Sequence, residues 1–126
     1  DFGHALMAKE NPGEVVSILS REKVLYNIHF NDAYREWDDD LMAGSTNLYE
    51  TLEFLYYIEK SGYQGYLGFD IFPYRIHPVR ALELCTRNTL DLHQLLQELD
   101  IDSLLKGQKK MDAADTHQAV RKVFSK

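Results

Sequence analysis

The spacing of hydrophobic residues predicts helices and strands in alternation along the first half of the chain. A helix is expected over residues 11–21, because Asn11 is a candidate N-cap, Pro12 suits a first turn and apolar residues follow at helical spacing. The β-branched and aromatic run at 24–30 predicts a buried strand. A long polar loop over 31–46 then separates this strand from the next periodic segment.

The second half of the chain continues the same alternation. Leucines at helical spacing predict a helix over 47–61, and a second strand is expected over 65–71. A long helix is predicted over 78–99. The remaining residues have a helical pattern that a Gly-Gln-Lys-Lys stretch at 107–110 is expected to break, with a final helix over 111–124.

Strands that alternate with helices predict βαβ units and a parallel sheet, so the expected fold class is α/β. Residues 1–99 carry this pattern, and residues 100–126 are interpreted as a separate helical extension. Residues 1–10 are interpreted as a loop that leaves a preceding strand, because no initiator methionine opens the chain. Two strands neither close a sheet nor cover both of its faces. We therefore expect further strands in a longer protein, or association between copies of the chain.

Composition narrows the function classes but does not name one. The 126 residues are 44% hydrophobic and 27% charged, with no apolar run long enough to span a bilayer, so no membrane partner is expected. The formal net charge of -6 argues against non-specific nucleic-acid binding, which needs a basic surface. The single cysteine, Cys85, allows no internal disulfide, and a cytoplasmic location is therefore expected.

Side chains that bind metals are concentrated at four places in the chain. They are Asp1 with His4, His29, Asp38 with Asp40, and Asp70. In the predicted sheet all four places follow the C-terminal ends of strands, where active sites of parallel α/β proteins form. Several carboxylates beside imidazoles suit Mg²⁺, Mn²⁺ or Co²⁺ better than zinc or copper. The competing interpretation is a strand followed by a solvated acidic loop.

Four segments carry a resemblance to a known family. Residues 1–4 (DFGH), 29–31 (HFN), 37–41 (WDDDL) and 68–73 (GFDIFP) resemble, in order and spacing, the C-terminal part of the xylose-isomerase-like TIM barrels. His29, where xylose isomerases carry an aspartate, is closer to the rhamnose isomerase branch. The resemblance covers residues 1–98. It implies the C-terminal part of a (β/α)8 barrel, about two and a half βα units, followed by a helical tail.

The resemblance also implies roles for individual residues in a two-metal aldose–ketose isomerase acting on a monosaccharide. A first, structural metal would be held by Asp1, His29 and Asp70. A second, catalytic metal would be held by His4, Asp38 and Asp40, with Asp1 as a candidate bridge. The cofactor implied is Mn²⁺, or Mg²⁺ or Co²⁺, at two ions per complete active site. Asn31 and Asp32 are candidate hydrogen-bond partners of the ligands, and Asp39 is expected to face solvent.

Other parts of a family active site are missing from this chain. The family's earlier strands supply a further acidic ligand, a lysine near the substrate and aromatic walls of the sugar pocket. The isolated chain is therefore expected to be inactive, and the enzymatic function to belong to the parent protein. Two alternatives stay open: a one-metal sugar epimerase of the same fold, and a non-catalytic fragment that self-associates. We also expect a homo-oligomer, or association with the missing N-terminal barrel part, with residues 100–126 as an oligomerisation arm.

Overall fold

A computed structural model describes residues 1–125, which form six α-helices, one short 3₁₀ helix and two strands. In chain order the helices are α1 (Phe2–Met7), α2 (Pro12–Arg21), α3 (Leu48–Ser61), α4 (Pro78–Gln97), α5 (Ile101–Lys109) and α6 (Ala113–Arg121). The strands are β1 (Ile28–Phe30) and β2 (Leu67–Phe69), and the 3₁₀ helix is Lys122–Phe124. None of the described helices combines the length and the apolar composition that a bilayer crossing requires.

The prediction of a C-terminal TIM-barrel segment with about two and a half βα units is wrong. The described chain is mostly helical, and its sheet consists of two parallel strands of three residues each. The wall of a barrel needs several longer strands, each paired on both sides. Only the coarser expectation of an α/β chain with parallel strands is met.

Both strands are shorter than the apolar runs at 24–30 and 65–71 predicted. Pairing is confined to the register Ile28 with Leu67, His29 with Gly68 and Phe30 with Phe69. Tyr26 and Tyr66, on the N-terminal sides of the strands, are 82% and 88% exposed. Hydrogen bonds between strands form only where free N–H and C=O groups of the two strands face each other. The apolar pattern thus predicted a burial that a two-stranded sheet does not provide.

The first residues form a helix rather than the predicted loop. The Asp1 carboxylate caps α1 by accepting a hydrogen bond from the His4 amide at 2.9 Å. Phe2 and Leu6 lie one turn apart on the same face and are almost completely buried. The cap and this apolar spacing together explain why a helix of only six residues forms here.

The chain divides into two compact units, Asp1–Leu92 and His93–Lys126. In the first unit, three phenylalanine rings from α1, β1 and α3 pack against one another. The ring centroids of Phe2, Phe30 and Phe54 are 5.0 to 5.6 Å apart. Aromatic rings in such edge-on or tilted contacts stabilise a core beyond the area that they bury. This cluster fixes the start of α1, and with it Asp1, beside β1.

In the second unit, α5 and α6 form a helical hairpin. The carboxylates of Asp100 and Asp112 cap the two helices. Gly107 lies inside α5 and is buried, and a Cβ at this position would lie 2.8 Å from Thr116 Oγ1. The predicted break at 107–110 is therefore placed too early: the glycine serves the close approach of two helices, α5 continues to Lys109, and the chain breaks at 110–112 before α6.

Candidate metal centre

The first group of candidate ligands lies where β1 and β2 present one face to the start of α1. Ile28 and Phe30 are buried, so the alternation of side chains along β1 directs His29 to the opposite face. Gly68 is paired with His29 and adds no side chain there. Asp70 is two residues further along the chain, on the same face as Gly68. As a result, His29 Nδ1 lies 3.0 Å from Asp70 Oδ2.

Asp1 completes this first cluster from the N-terminus of α1. One carboxylate oxygen, Oδ1, caps the helix, and the other, Oδ2, lies 3.9 Å from His29 Nδ1. The Asp1 side chain is only 12% exposed, although the residue as a whole, with its backbone amino group, is exposed. Ligand atoms of Asp1, His29 and Asp70 all lie within 4.8 Å of one another. This separation is compatible with a single cation bound between them.

The second group of candidate ligands is held around His4. The His4 Nε2 atom is 2.9 Å from Asp38 Oδ2, and the Nδ1 atom is 3.5 Å from Asp1 Oδ1. His4 therefore connects the first cluster to the acidic loop. Asp38 Oδ1 is buried and accepts no hydrogen bond within the described part of the chain. A buried carboxylate oxygen without a donor is costly, and a bound cation would satisfy it.

Asp40 stands close to both groups. Its Oδ1 atom accepts a hydrogen bond from Asn31 Nδ2 at 3.0 Å, and its backbone has a left-handed φ of 46°. Burial raises the pKa of the Asp40 carboxyl above its ordinary value. The neighbouring Asp38 carboxylate raises this pKa further, the Asn31 hydrogen bond lowers it, and the smaller effects of Asp70 and His4 raise and lower it, respectively. Several carboxylates in mutual repulsion form a site at which a cation is electrostatically favoured.

The structure thus brings all six predicted ligands to one edge of the sheet, but not into two equal sites. Asp1, His29 and Asp70 are the one triad of His, Cys, Asp or Glu residues among residues 1–125 whose ligand atoms converge. His4 and Asp38 are in contact with each other. Asp40 is instead turned toward Asn31. The second predicted ligand set is a neighbouring group rather than a closed triad.

Asn31 connects the two ligand-bearing segments. It is fully buried, and its Oδ1 atom accepts a hydrogen bond from the Gly3 amide at 2.8 Å while its Nδ2 atom donates to Asp40. A Cβ at Gly3 would lie 2.8 Å from the same Asn31 Oδ1 atom. A glycine is needed here because the amide of Asn31 packs directly against the α1 backbone. Asn31 is therefore a hydrogen-bond partner of a candidate ligand, as the sequence indicated.

Asp32 has a different role from the one that its position suggested. It is completely buried and accepts four hydrogen bonds, all from the loop that carries the acids or from the start of α3. The donors are the amides of Ala33, Thr46 and Asn47 and the side chain of Asn47. Asp32 thus closes the loop on itself, and nothing in the local sequence indicated partners this far along the chain.

Asp39 supports the same loop. Its Oδ2 atom accepts a hydrogen bond from the Tyr34 amide at 2.7 Å. The Asp39 side chain was expected to face solvent, but this hydrogen bond stabilises the loop after β1 that carries the candidate ligands Asp38 and Asp40. Its neighbours differ, because Asp38 contacts His4 and Asp40 accepts from Asn31.

Comparison with known proteins does not extend these observations. No protein-family profile matches the chain, and no curated protein matches it. The functional assignment therefore rests on the residues and their geometry.

Proposed function

We propose that this chain carries the metal-binding part of a divalent-metal-dependent aldose–ketose isomerase. The observation that carries the proposal is the convergence of Asp1, His29 and Asp70 within 4.8 Å, with the pair His4 and Asp38 directly beside them. The reaction class is inferred from the four short motifs that resemble the sugar isomerases. The structural support for it is that the candidate ligands in these motifs lie close together.

The donor set fits a hard divalent cation. Carboxylate oxygens and imidazole nitrogens without any thiolate favour Mn²⁺, Mg²⁺ or Co²⁺, and Cys85 is buried in α4 outside this cluster. Exposed acidic groups are common in proteins without any metal, so acidity alone would not support a metal site. Two features make this cluster more specific. The Asp1 side chain is largely buried, and Asp38 has a buried oxygen without a donor in the described chain.

In this proposal the two clusters have separate tasks. Asp1, His29 and Asp70 hold the first cation, and His4, Asp38 and Asp40 hold the second. A bound divalent cation polarises a sugar carbonyl and acidifies a neighbouring hydroxyl or water. The residues of this chain bind and orient: Asn31 sets the direction of the Asp40 carboxylate, and the Asp1 carboxylate is fixed by its cap on α1. Turnover is expected only when the substrate-binding residues that the resemblance assigns to other segments are also present.

Metal binding by the chain itself is the first test. Mn²⁺ is titrated into the metal-free chain, and the free ion is followed by electron paramagnetic resonance while calorimetry gives the stoichiometry. We expect two Mn²⁺ per chain, with one lost in Asp70→Asn and the other in Asp38→Asn. The matched control is Asp39→Asn, which removes the same charge from the same loop but leaves both clusters intact. No saturable binding, or an equal loss in the control, would contradict the proposal.

A one-metal sugar epimerase is the second candidate, and one observation favours it. Only the first cluster forms a closed triad among residues 1–125, so a single ion would be the full complement. A stoichiometry of one Mn²⁺, abolished by Asp70→Asn and unchanged by Asp38→Asn, would support this candidate. With turnover in D₂O, an epimerase that works by proton transfer incorporates deuterium at the reacting carbon, whereas an isomerase that shifts a hydride does not. A non-catalytic chain would show no turnover with any aldose, alone or in a longer protein.

A further inference from the structure

A polar groove lies between the C-terminal halves of α2 and α3, which pack against each other in the first unit. Its volume is about 280 Å³. Each helix contributes three residues at the spacing i, i+3 and i+4, and residues at this spacing share one face of a helix. The six lining residues are Ser17, Ser20 and Arg21 from α2, and Tyr57, Lys60 and Ser61 from α3.

The side chains that line this groove are all hydrogen-bond donors, and none of them is acidic. Two of the six carry a positive charge, in a chain whose formal net charge is -6. Arg21 pairs through Nε with the neighbouring Glu22 at 3.0 Å, and both side chains are largely exposed. Such an exposed pair restrains an arginine only weakly. The Nη groups of Arg21 have no partner within residues 1–125.

One hydroxyl in the groove is buried without a hydrogen-bond partner. The Ser20 Oγ atom is shielded from solvent, and it makes no hydrogen bond in the part of the chain that the structure describes. A buried polar group without a partner is costly, and native proteins normally satisfy it. Because Ser20 lines a groove that is otherwise made of donors, a bound acceptor would supply the missing hydrogen bond.

The Lys60 ammonium is positioned by aromatic rings rather than by a carboxylate. Its Nζ atom lies 5.3 Å from the ring centroid of Tyr56 and 5.7 Å from that of Tyr57. Cation–π contacts of this kind hold the ammonium while its N–H groups can still donate to an anion. Ser61 has a different role, because its hydroxyl donates to the Ile58 carbonyl at 2.7 Å. We therefore do not count Ser61 among the donors to a ligand.

Basic residues at the end of a helix also have a simpler explanation, since the carbonyl end of a helix favours cations. This explanation covers Arg21 and Lys60, which lie in the last turns of α2 and α3. It does not cover the buried hydroxyl of Ser20. The last carbonyl groups of α2 also already accept hydrogen bonds from the backbone amides of residues 22–24. The groove thus has more donors than the helix ends require.

We propose that this groove binds a phosphate group, supplied as inorganic phosphate or by a small phosphomonoester. Arg21 and Lys60 neutralise its charge from the two walls, and the Ser20 hydroxyl donates to one of its oxygens. Ser17 and Tyr57 are further donors. A tetrahedral anion presents acceptors in several directions, which suits donors from two facing helices. Sites for drug-sized ligands have about 300–1,000 Å³, so a groove of about 280 Å³ suits a small ligand.

The phosphate groove is separate from the candidate metal centre. Helices α2 and α3 each end shortly before a strand begins, so the groove lies toward the edge of the sheet where β1 and β2 start. The candidate ligands His29 and Asp70 lie toward the opposite edge, where the strands end. None of the residues that line the groove is a candidate metal ligand, and the inference is therefore independent of the proposed function.

Phosphorus NMR tests binding directly, with inorganic phosphate and glycerol 3-phosphate each titrated against the metal-free chain at constant ionic strength. We expect a saturable change of the phosphorus resonance and a thermal midpoint that rises with ligand concentration. Tighter binding of glycerol 3-phosphate would identify a phosphomonoester as the ligand, and equal or weaker binding would identify inorganic phosphate. Arg21→Gln and Lys60→Gln should each weaken binding about 10–100-fold. The matched control is Lys109→Gln, which also removes a lysine from the last turn of a helix but lies outside the groove.

Ser20→Ala separates ligand binding from a structural role. Removal of an unpartnered buried hydroxyl should leave the free chain at least as stable as the wild type, while phosphate binding weakens about tenfold. Circular dichroism checks that every variant remains folded. No saturable binding of either probe, an equal loss in Lys109→Gln, or a Ser20→Ala variant that is destabilised but binds phosphate normally would overturn the proposal. Loss of Mn²⁺ binding would leave it unaffected.

Discussion

Replacing Asp32 by asparagine tests how the loop that carries Asp38 and Asp40 is held in place. Each carboxylate oxygen of Asp32 accepts two hydrogen bonds. Oδ1 accepts from the Ala33 amide at 2.9 Å and from Asn47 Nδ2 at 2.6 Å, and Oδ2 accepts from the Thr46 amide at 2.8 Å and the Asn47 amide at 3.1 Å. An asparagine has one NH₂ group in place of an oxygen, and either orientation turns that group toward two donors.

The expected loss of stability can be worked out from these four bonds. A hydrogen bond to a charged group contributes about 1.5–3 kcal/mol net, and a buried donor left without an acceptor costs about 1–3 kcal/mol. The contributions do not simply add, because Thr46 is exposed and Asn47 is half-buried, so water replaces part of what is lost. We therefore expect Asp32→Asn to lower the free energy of unfolding by about 3–5 kcal/mol. Asp32→Ala should cost a similar amount.

Urea denaturation followed by circular dichroism measures this change. The control is Asp39→Asn, because that side chain accepts one hydrogen bond and an amide oxygen can still accept it. Its cost should be below about 1 kcal/mol. A hydrogen-bonded role for both Asp32 oxygens would be refuted if Asp32→Asn were as stable as this control. It would equally be refuted if Asp32→Ala were destabilising while Asp32→Asn was not, since one amide oxygen would then suffice.

Three further predictions concern other parts of the chain. Gly3→Ala should displace Asn31 from its contact with Asp40 and weaken Mn²⁺ binding about 10–100-fold, measured by calorimetry; an unchanged affinity would remove Asn31 from the site. The Ser103 hydroxyl, followed by its amide, lowers the pKa of Asp100, so the stabilisation from this cap is present above the ordinary pKa of the group and is lost as the pH falls through the lowered one. Ser103→Ala should therefore move the Asp100 pKa upward in an NMR titration, and an unmoved pKa would contradict this cause. Burial raises the pKa of the Cys85 thiol, so the thiol should react with a disulfide reagent only in molecules that have partly unfolded. Rapid labelling of the native chain would show that α4 is not packed around Cys85.

The helices with local signals were predictable from the sequence. Helix α2 begins at Pro12 after the Asn11 cap, and α3 ends at Ser61 close to its predicted boundary. In both cases the decisive interactions lie within one turn of the chain. Helix α1 was missed although Asp1, Phe2 and Leu6 have the spacing of a capped amphipathic turn. The extent of the strands was not predictable, because a ladder depends on partners that are distant in the sequence.

The candidate site was likewise predictable from the sequence only in part. Its ligands were predicted to converge because parallel strands present their C-terminal ends together, and the approach of His29 to Asp70 agrees with that reasoning. What the sequence did not reveal is how the loop is fixed. The donors to Asp32 include residues fourteen and fifteen positions away, and no local pattern marks them. The failure of Asp40 to join His4 and Asp38 in a closed triad also depends on this loop conformation.

The most direct test of the metal-site proposal is anomalous X-ray diffraction from crystals of the chain grown with Mn²⁺. We predict an anomalous peak bound by the side chains of Asp1, His29 and Asp70, whose ligand atoms already lie within 4.8 Å of one another. A second peak beside His4 and Asp38 would distinguish a two-metal centre from a one-metal centre. Crystals with Mn²⁺ bound only at other acidic residues, or with no peak between these three side chains, would contradict the central claim.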